Sequence, residues 1–158
     1  GVDVASIKNT LMNYRGVSHR MEFVDTFNGV DYYNDSKGTN PDSTDVALAS
    51  LSKPIHLLAG GFDKGSDFKS LFEKHAPAIA CLYVYGATKA IIKEEALEAG
   101  VKEVKEFETM KEAAEAAMDR AVAGEAVLLS PACASWDQFP NYEVRGDEFK
   151  QIVRERWS

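Results

Sequence analysis

From residue 41 onward, short apolar runs alternate with helix-length segments, and that alternation leaves few architectures open. Pro41 to Ser50 reads as a helix, Ile55 to Ala59 as a strand, Asp67 to Lys74 as a helix and Cys81 to Tyr85 as a strand. Lys89 to Ala99 is predicted helical and ended by Gly100, a strand lies within Val101 to Phe107, and Thr109 caps an alanine-rich helix to about Val122. Ala126 to Ser130 is the last inner strand and Asp147 to Trp157 the last helix. Strands and helices alternating at this length imply a parallel sheet with right-handed crossovers and helices on both faces. The opening of the chain differs. Residues 3 to 14 read as a helix, with Asp3 as N-cap and Val4, Ile7 and Leu11 at helical spacing. Met21 to Phe27 and Val30 to Asn34 then flank Asn28-Gly29, a two-residue hairpin signal because both positions tolerate positive φ. The expected fold is therefore α/β: a Rossmann-like, mostly parallel six-stranded sheet with helices on both faces and an N-terminal antiparallel hairpin. With no repeats or low-complexity linkers, residues 1–158 read as a single domain.

The densest chemistry follows the last inner strand. Ser130-Pro131 stops the apolar run, since proline cannot continue a central strand. Cys133, Ser135, Trp136, Asp137, Gln138, Phe139, Asn141, Tyr142 and Arg145 crowd the segment behind it. Ligands of open α/β sheets sit beyond the carboxyl ends of strands. The competing reading is a packed loop whose aromatics cap the core. Three further segments carry candidate groups. His19-Arg20 precedes the hairpin; a solvated pair is the plain reading, an arginine fork on a phosphate the functional one. Asn34-Asp35-Ser36-Lys37-Gly38-Thr39-Asn40-Pro41 runs from a strand into a helix whose N-terminus favours anions. There Asp35 suits a ribose hydroxyl or a magnesium-bound water, and Lys37 a phosphate; an ordinary Asn40-Pro41 helix start is compatible with both. Gly60-Gly61-Phe62-Asp63-Lys64-Gly65 lets backbone amides approach an anion, with Lys64 as a point charge; a plain tight turn is the alternative.

Several functions are disfavoured. There is no Walker A loop, dinucleotide glycine fingerprint or Gly-x-Ser-x-Gly elbow at Ser135, and the three histidines lack metal-ligand spacing. A net charge of -7 argues against general attraction to nucleic acid or anionic membrane. Two cysteines are too few for a disulfide framework, so a reducing, cytoplasmic compartment is expected. Cys81 reads as a core thiol, and the sequence provides no argument for a lowered pKa at Cys133. No stretch is long and apolar enough to span a bilayer, no signal peptide opens the chain, and a start at Gly1 without methionine fits an excised piece. What the loops offer are donors and cations suited to carboxylates and phosphates.

Taken together, His19-Arg20, the Asp35 to Asn40 run, Gly60-Gly61 with Lys64 and Asp67-Phe68, and Leu128 to Phe149 resemble the C-terminal domain of the Mur ligases. The Ser130-Pro131-Ala132-Cys133-Ala134-Ser135 and Asp137-Gln138-Phe139 pieces resemble the D-glutamate-adding branch in particular. The resemblance implies a bacterial, cytoplasmic ligase of peptidoglycan-precursor synthesis. ATP, with magnesium, converts the carboxylate of UDP-N-acetylmuramoyl-L-alanine to an acyl phosphate, and the amine of D-glutamate attacks it. It implies Lys64, Thr39, Ser135, Trp136 (through its backbone) and Tyr142 on D-glutamate. It implies Arg20, Asp35, His19 and Asn40 on the ATP side, and Lys37 as the catalytic residue at the reacting phosphate. Trp136 and Tyr142 depart from the family pattern, where a smaller apolar residue and a phenylalanine are expected. The family's phosphate loop, metal ligands and uridine-nucleotide domain have no counterpart in this sequence. An isolated domain without turnover of its own, and without a tightly bound cofactor or metal, is therefore expected. The alternatives are a stand-alone nucleotide- or phosphate-binding α/β module and a protein-interaction domain.

Overall fold

The computed structural model describes residues 17–158; the helix expected over residues 3 to 14 lies outside them. Six strands form one sheet: β1 (Glu22–Phe27), β2 (Val30–Asn34), β3 (Ile55–Gly60), β4 (Ile79–Tyr85), β5 (Val104–Phe107) and β6 (Ala126–Leu129). Their order is β1-β2-β6-β3-β4-β5, antiparallel only between β1 and β2. The hairpin turns on Asn28 at φ 52° and Gly29 at φ 77°, the doubly positive pair that suits the twist of two joined strands. The last strand in the sequence inserts between β2 and β3. The segments leaving β2, β6 and β3 therefore emerge side by side at one edge of the sheet.

Among the described residues four helices connect the strands, α1 (Pro41–Ala49), α2 (Lys69–His75), α3 (Lys89–Glu98) and α4 (Met110–Arg120), and a fifth, α5 (Tyr142–Arg156), follows β6. Side chains alternate along β4 between two cores. Cys81, Tyr83 and Tyr85 face α4 and α5, packing with Met110, Ala114, Phe149 and Val153. Leu82 and Val84 face the other way, with Leu48 of α1, Phe72 of α2 and Ile92 of α3. Both faces of the sheet are thus covered, which is why β3 and β6 are buried along their whole length. Each large apolar side chain fully buried this way contributes roughly 1.5–3 kcal/mol. His56 breaks the apolar run of β3 and stays buried because its ring meets the Tyr83 hydroxyl at 2.9 Å and the Glu125 carboxylate at 2.6 Å.

Most helix starts follow their capping residues. The Asn40 amide oxygen accepts from the Ser43 N–H with Pro41 at the first turn, and Thr109 accepts from the Glu112 N–H. Three element starts differ from expectation by two residues or more, and α2 is one of them, beginning at Lys69 rather than Asp67. β4 begins at Ile79, two residues before Cys81, and α5 begins at Tyr142 rather than Asp147. Asn141 is the cap of α5, accepting from the Val144 N–H, so the aromatic-rich segment turns helical earlier than its polar composition implies. No helix among the described residues is long and apolar enough to cross a membrane.

Candidate functional site

Three loops at the edge beyond β2, β3 and β6 are tied to one another by their backbones. The Asp35 N–H donates to Leu129 O, the Ala132 N–H to Gly38 O and the Gly60 N–H to Pro131 O. Phe62 and Ala134 exchange two hydrogen bonds, 2.8 and 2.9 Å, in an isolated antiparallel bridge. Gly61 allows this approach: a Cβ there would lie 2.2 Å from Ala134 O, and its φ is +136°. The glycine pair that reads as an anion loop in the sequence therefore also serves as a backbone clasp.

Beside the clasp lies a cleft of about 580 Å³, bordered by Thr39, Lys64, Ser135, Trp136, Tyr142 and Phe62 among others. All five residues that the resemblance implies for D-glutamate border it, contributed by the loops after β2, β3 and β6 and by the first turn of α5. Ser135 is buried, and Trp136 projects at the rim with its ring against Phe62, centroids 5.9 Å apart. Asp63 shapes the Lys64 turn by accepting from the Gly65 and Ser66 N–H groups and the Ser66 hydroxyl. Burial pushes its carboxyl up, but these donors outweigh it and hold it below the ordinary carboxylate value. With Asp63 so engaged, Lys64 makes no ion pair among the described residues, and its ammonium stands exposed at the cleft.

The residues expected on the nucleotide side are dispersed. Arg20, Asp35 and Lys37 border a second, smaller cleft of about 290 Å³. Asp35 is buried; one oxygen accepts from the Met21 N–H at 3.0 Å and the other from the Ser130 hydroxyl at 2.7 Å. Burial raises its pKa above the ordinary value, against these bonds and the Arg20 charge. His19 borders neither cleft. It is buried at a positive φ of 65°, with Nδ1 2.9 Å from the Asn34 amide and its ring edge-on to Tyr142 at 5.9 Å. Asn40 has its amide oxygen on the α1 cap. Among the described residues no three His, Cys, Asp or Glu side chains gather as a metal cage.

The segment after β6 divides between cleft and scaffold. Asp137 accepts from the Ala87 N–H, and Gln138 bridges the Met110 N–H and the Glu108 carbonyl. Cys133 is buried beside the Thr88 hydroxyl, and burial pushes its thiol up to about 12. Arg145 is the residue whose role the sequence reading missed. It is the largest fully buried side chain, and its guanidinium donates to the Ser36 hydroxyl, the Ser36 carbonyl and the Cys133 carbonyl. The available signal was its spacing: Arg145, Phe149 and Ile152 recur on one helical face, which places an arginine on the core stripe of α5.

A sequence profile described as "Mur ligase, glutamate ligase domain" matches residues 19–133. The UDP-N-acetylmuramoylalanine--D-glutamate ligase of Alkaliphilus oremlandii is 44% identical over 153 residues, 97% of this chain and 34% of that protein. That of Clostridioides difficile is 45% identical over 152 residues, covering 96% and 34%. The chain thus spans about a third of the length of the curated relatives it matches. Among solved structures, a UDP-N-acetylmuramate-alanine ligase from Thermotoga maritima superposes with TM-score 0.62 at 16% identity, over 99% of this chain and 34% of that one. A bifunctional folylpolyglutamate synthase/dihydrofolate synthase from Yersinia pestis, solved with AMPPNP and a manganese ion, gives 0.58 at 13% identity, over 100% and 35%. These two likenesses establish the fold alone. The profile match, running from the turn before β1 into the loop after β6, establishes more: this chain belongs to the Mur ligase family, through its glutamate ligase domain.

Proposed function

We propose that the chain is the amino-acid-binding domain of an ATP-dependent ligase that adds D-glutamate to UDP-N-acetylmuramoyl-L-alanine in peptidoglycan-precursor synthesis. The observation that carries this reading is the single cleft bordered by Thr39, Lys64, Ser135, Trp136 and Tyr142. The exposed Lys64 ammonium with the Thr39 and Ser135 hydroxyls suits a small amino acid with two carboxylates, because charge-assisted hydrogen bonds to carboxylate are the strong ones. The names of its relatives, ligases for D-glutamate, support the same choice.

ATP would meet this domain at the second cleft, where Arg20 and Lys37 supply cations suited to phosphate oxygens. ATP contributes the phosphoryl group that activates the acceptor carboxylate. In this reading Lys37 stands nearest the reacting phosphate, and Asp35, His19 and Asn40 shape the turn and helix start around it. Magnesium accompanies ATP through residues supplied from elsewhere. The full reaction needs the rest of the ligase, so this chain alone would not turn over. The stand-alone nucleotide-module reading rests on the same second cleft, which at about 290 Å³ sits at the lower limit of pockets that enclose small molecules.

An NMR titration of this chain with D-glutamate tests the proposal. Amide shifts centred on Thr39, Lys64, Ser135 and Tyr142, and smaller with L-glutamate, are the expected result. No response at tens of millimolar, or equal responses to both enantiomers, would count against it.

A further inference from the structure

A ligand with two carboxylates needs more positive potential than the cleft's own lining shows. Lys64 is one cation, and Asp63 beside it is an anion. A second cation is buried beside the loops that form the cleft. Arg145 is buried completely, and none of the ion pairs among the described residues gives it a carboxylate partner. Its three hydrogen bonds all go to neutral oxygens: the Ser36 hydroxyl at 2.9 Å, the Ser36 carbonyl at 2.7 Å and the Cys133 carbonyl at 3.0 Å. The Ser36 hydroxyl in turn donates to Tyr142 O at 2.7 Å.

Directly or through the Ser36 hydroxyl, those bonds reach three of the four segments that line the cleft, all but the Lys64 turn. Ser36 stands three residues before Thr39, Cys133 two before Ser135, and Tyr142 is itself in the lining. A buried charge left without a counterion is costly, and such a cost persists where it serves another purpose. Neutral oxygens satisfy the guanidinium's hydrogen bonds without cancelling its field; the Asp137 carboxylate, acting through space, offsets part of it, and the remainder is left to act on the cleft.

Resting on the D-glutamate reading above, we propose that Arg145 is a positioning residue with two effects. It sets the spacing of Thr39, Ser135 and Tyr142, and its charge, which no ion pair among the described residues neutralises, makes the cleft prefer a doubly carboxylated amino acid to one with a neutral side chain.

The test is an NMR titration of this chain and its Arg145→Met and Arg145→Lys variants with D-glutamate and with D-glutamine, which has the same length but one carboxylate. A merely structural arginine would weaken both ligands by the same factor. The proposal expects Arg145→Met to weaken D-glutamate at least tenfold and D-glutamine about threefold, narrowing the preference between them. Arg145→Lys keeps the charge but not the fork, so it should weaken both about threefold and preserve the preference. If Arg145→Met does not give a dispersed amide spectrum, Ser36→Ala, which removes one bridging oxygen and leaves the charge, should reproduce the pattern of Arg145→Lys. D-glutamate affinity within twofold of the parent chain in a folded Arg145→Met variant overturns the inference, as does an unchanged affinity in Ser36→Ala. A parent chain that ignores D-glutamate instead overturns the functional reading, and this inference with it.

Discussion

Replacing Gly61 with alanine should loosen the clasp on which the cleft is built. Two costs add. The new Cβ takes a φ of +136°, a region that L side chains rarely adopt, at roughly 1–3 kcal/mol. It also lands 2.2 Å from Ala134 O, so the Phe62–Ala134 bridge must open, and its two backbone hydrogen bonds are worth about 1 kcal/mol each. The sum is about 3–5 kcal/mol, a large part of the roughly 5–15 kcal/mol that holds a domain folded. For a chain of this size each kcal/mol lowers the melting temperature by about 2–4 °C, so a fall of about 6–20 °C is expected. Gly65→Ala is the internal control. Gly65 also has a positive φ, +100°, but a Cβ there meets nothing within 4 Å, so only the conformational cost applies. Differential scanning calorimetry of the parent and both variants separates the two contributions. A Gly61→Ala melting temperature no lower than that of Gly65→Ala would refute the clasp argument.

Three more outcomes can be measured on the same chain. Lys64→Ala should weaken D-glutamate binding by about 1.5–3 kcal/mol, with the exposure of Lys64 favouring the lower figure, and an unchanged titration curve would remove it from the cleft's chemistry. Asp35→Asn should stabilise the fold at neutral pH. Burial raises the Asp35 pKa in the folded state, so the native form holds its proton more tightly; the stability this contributes is complete below the unfolded carboxylate value and is lost as pH rises through the folded one. The variant's gain in melting temperature should therefore be larger at pH 7.5 than at acid pH, and an equal gain at both would contradict the reasoning. Cys133, buried with its thiol pushed up to about 12, should resist a disulfide reagent in the native chain and react only on unfolding; modification at the rate of a free thiol would show the loop to be open.

Local chemistry made much of this protein legible from its residues. Asn28-Gly29 specifies a hairpin because two positive φ values suit few other pairs. Asn40-Pro41 and Thr109 mark helix starts because the capping bond lies within three residues. The alternation of strands and helices stated the α/β class for the same reason: periodicity is a property of neighbours along the chain. Where a distant partner decides the outcome, the residues alone were silent. The start of α5 at Tyr142 was hidden because its first turn carries a polar, aromatic surface that lies against the cleft and the His19 ring. Arg145 looked like one more polar loop residue, yet its partners Ser36 and Cys133 lie 109 and 12 positions away. Above all, the placing of Thr39, Lys64, Ser135 and Tyr142 around one cleft follows from β6 inserting between β2 and β3. Strand order is set by pairing between segments far apart in sequence, and no local propensity encodes it.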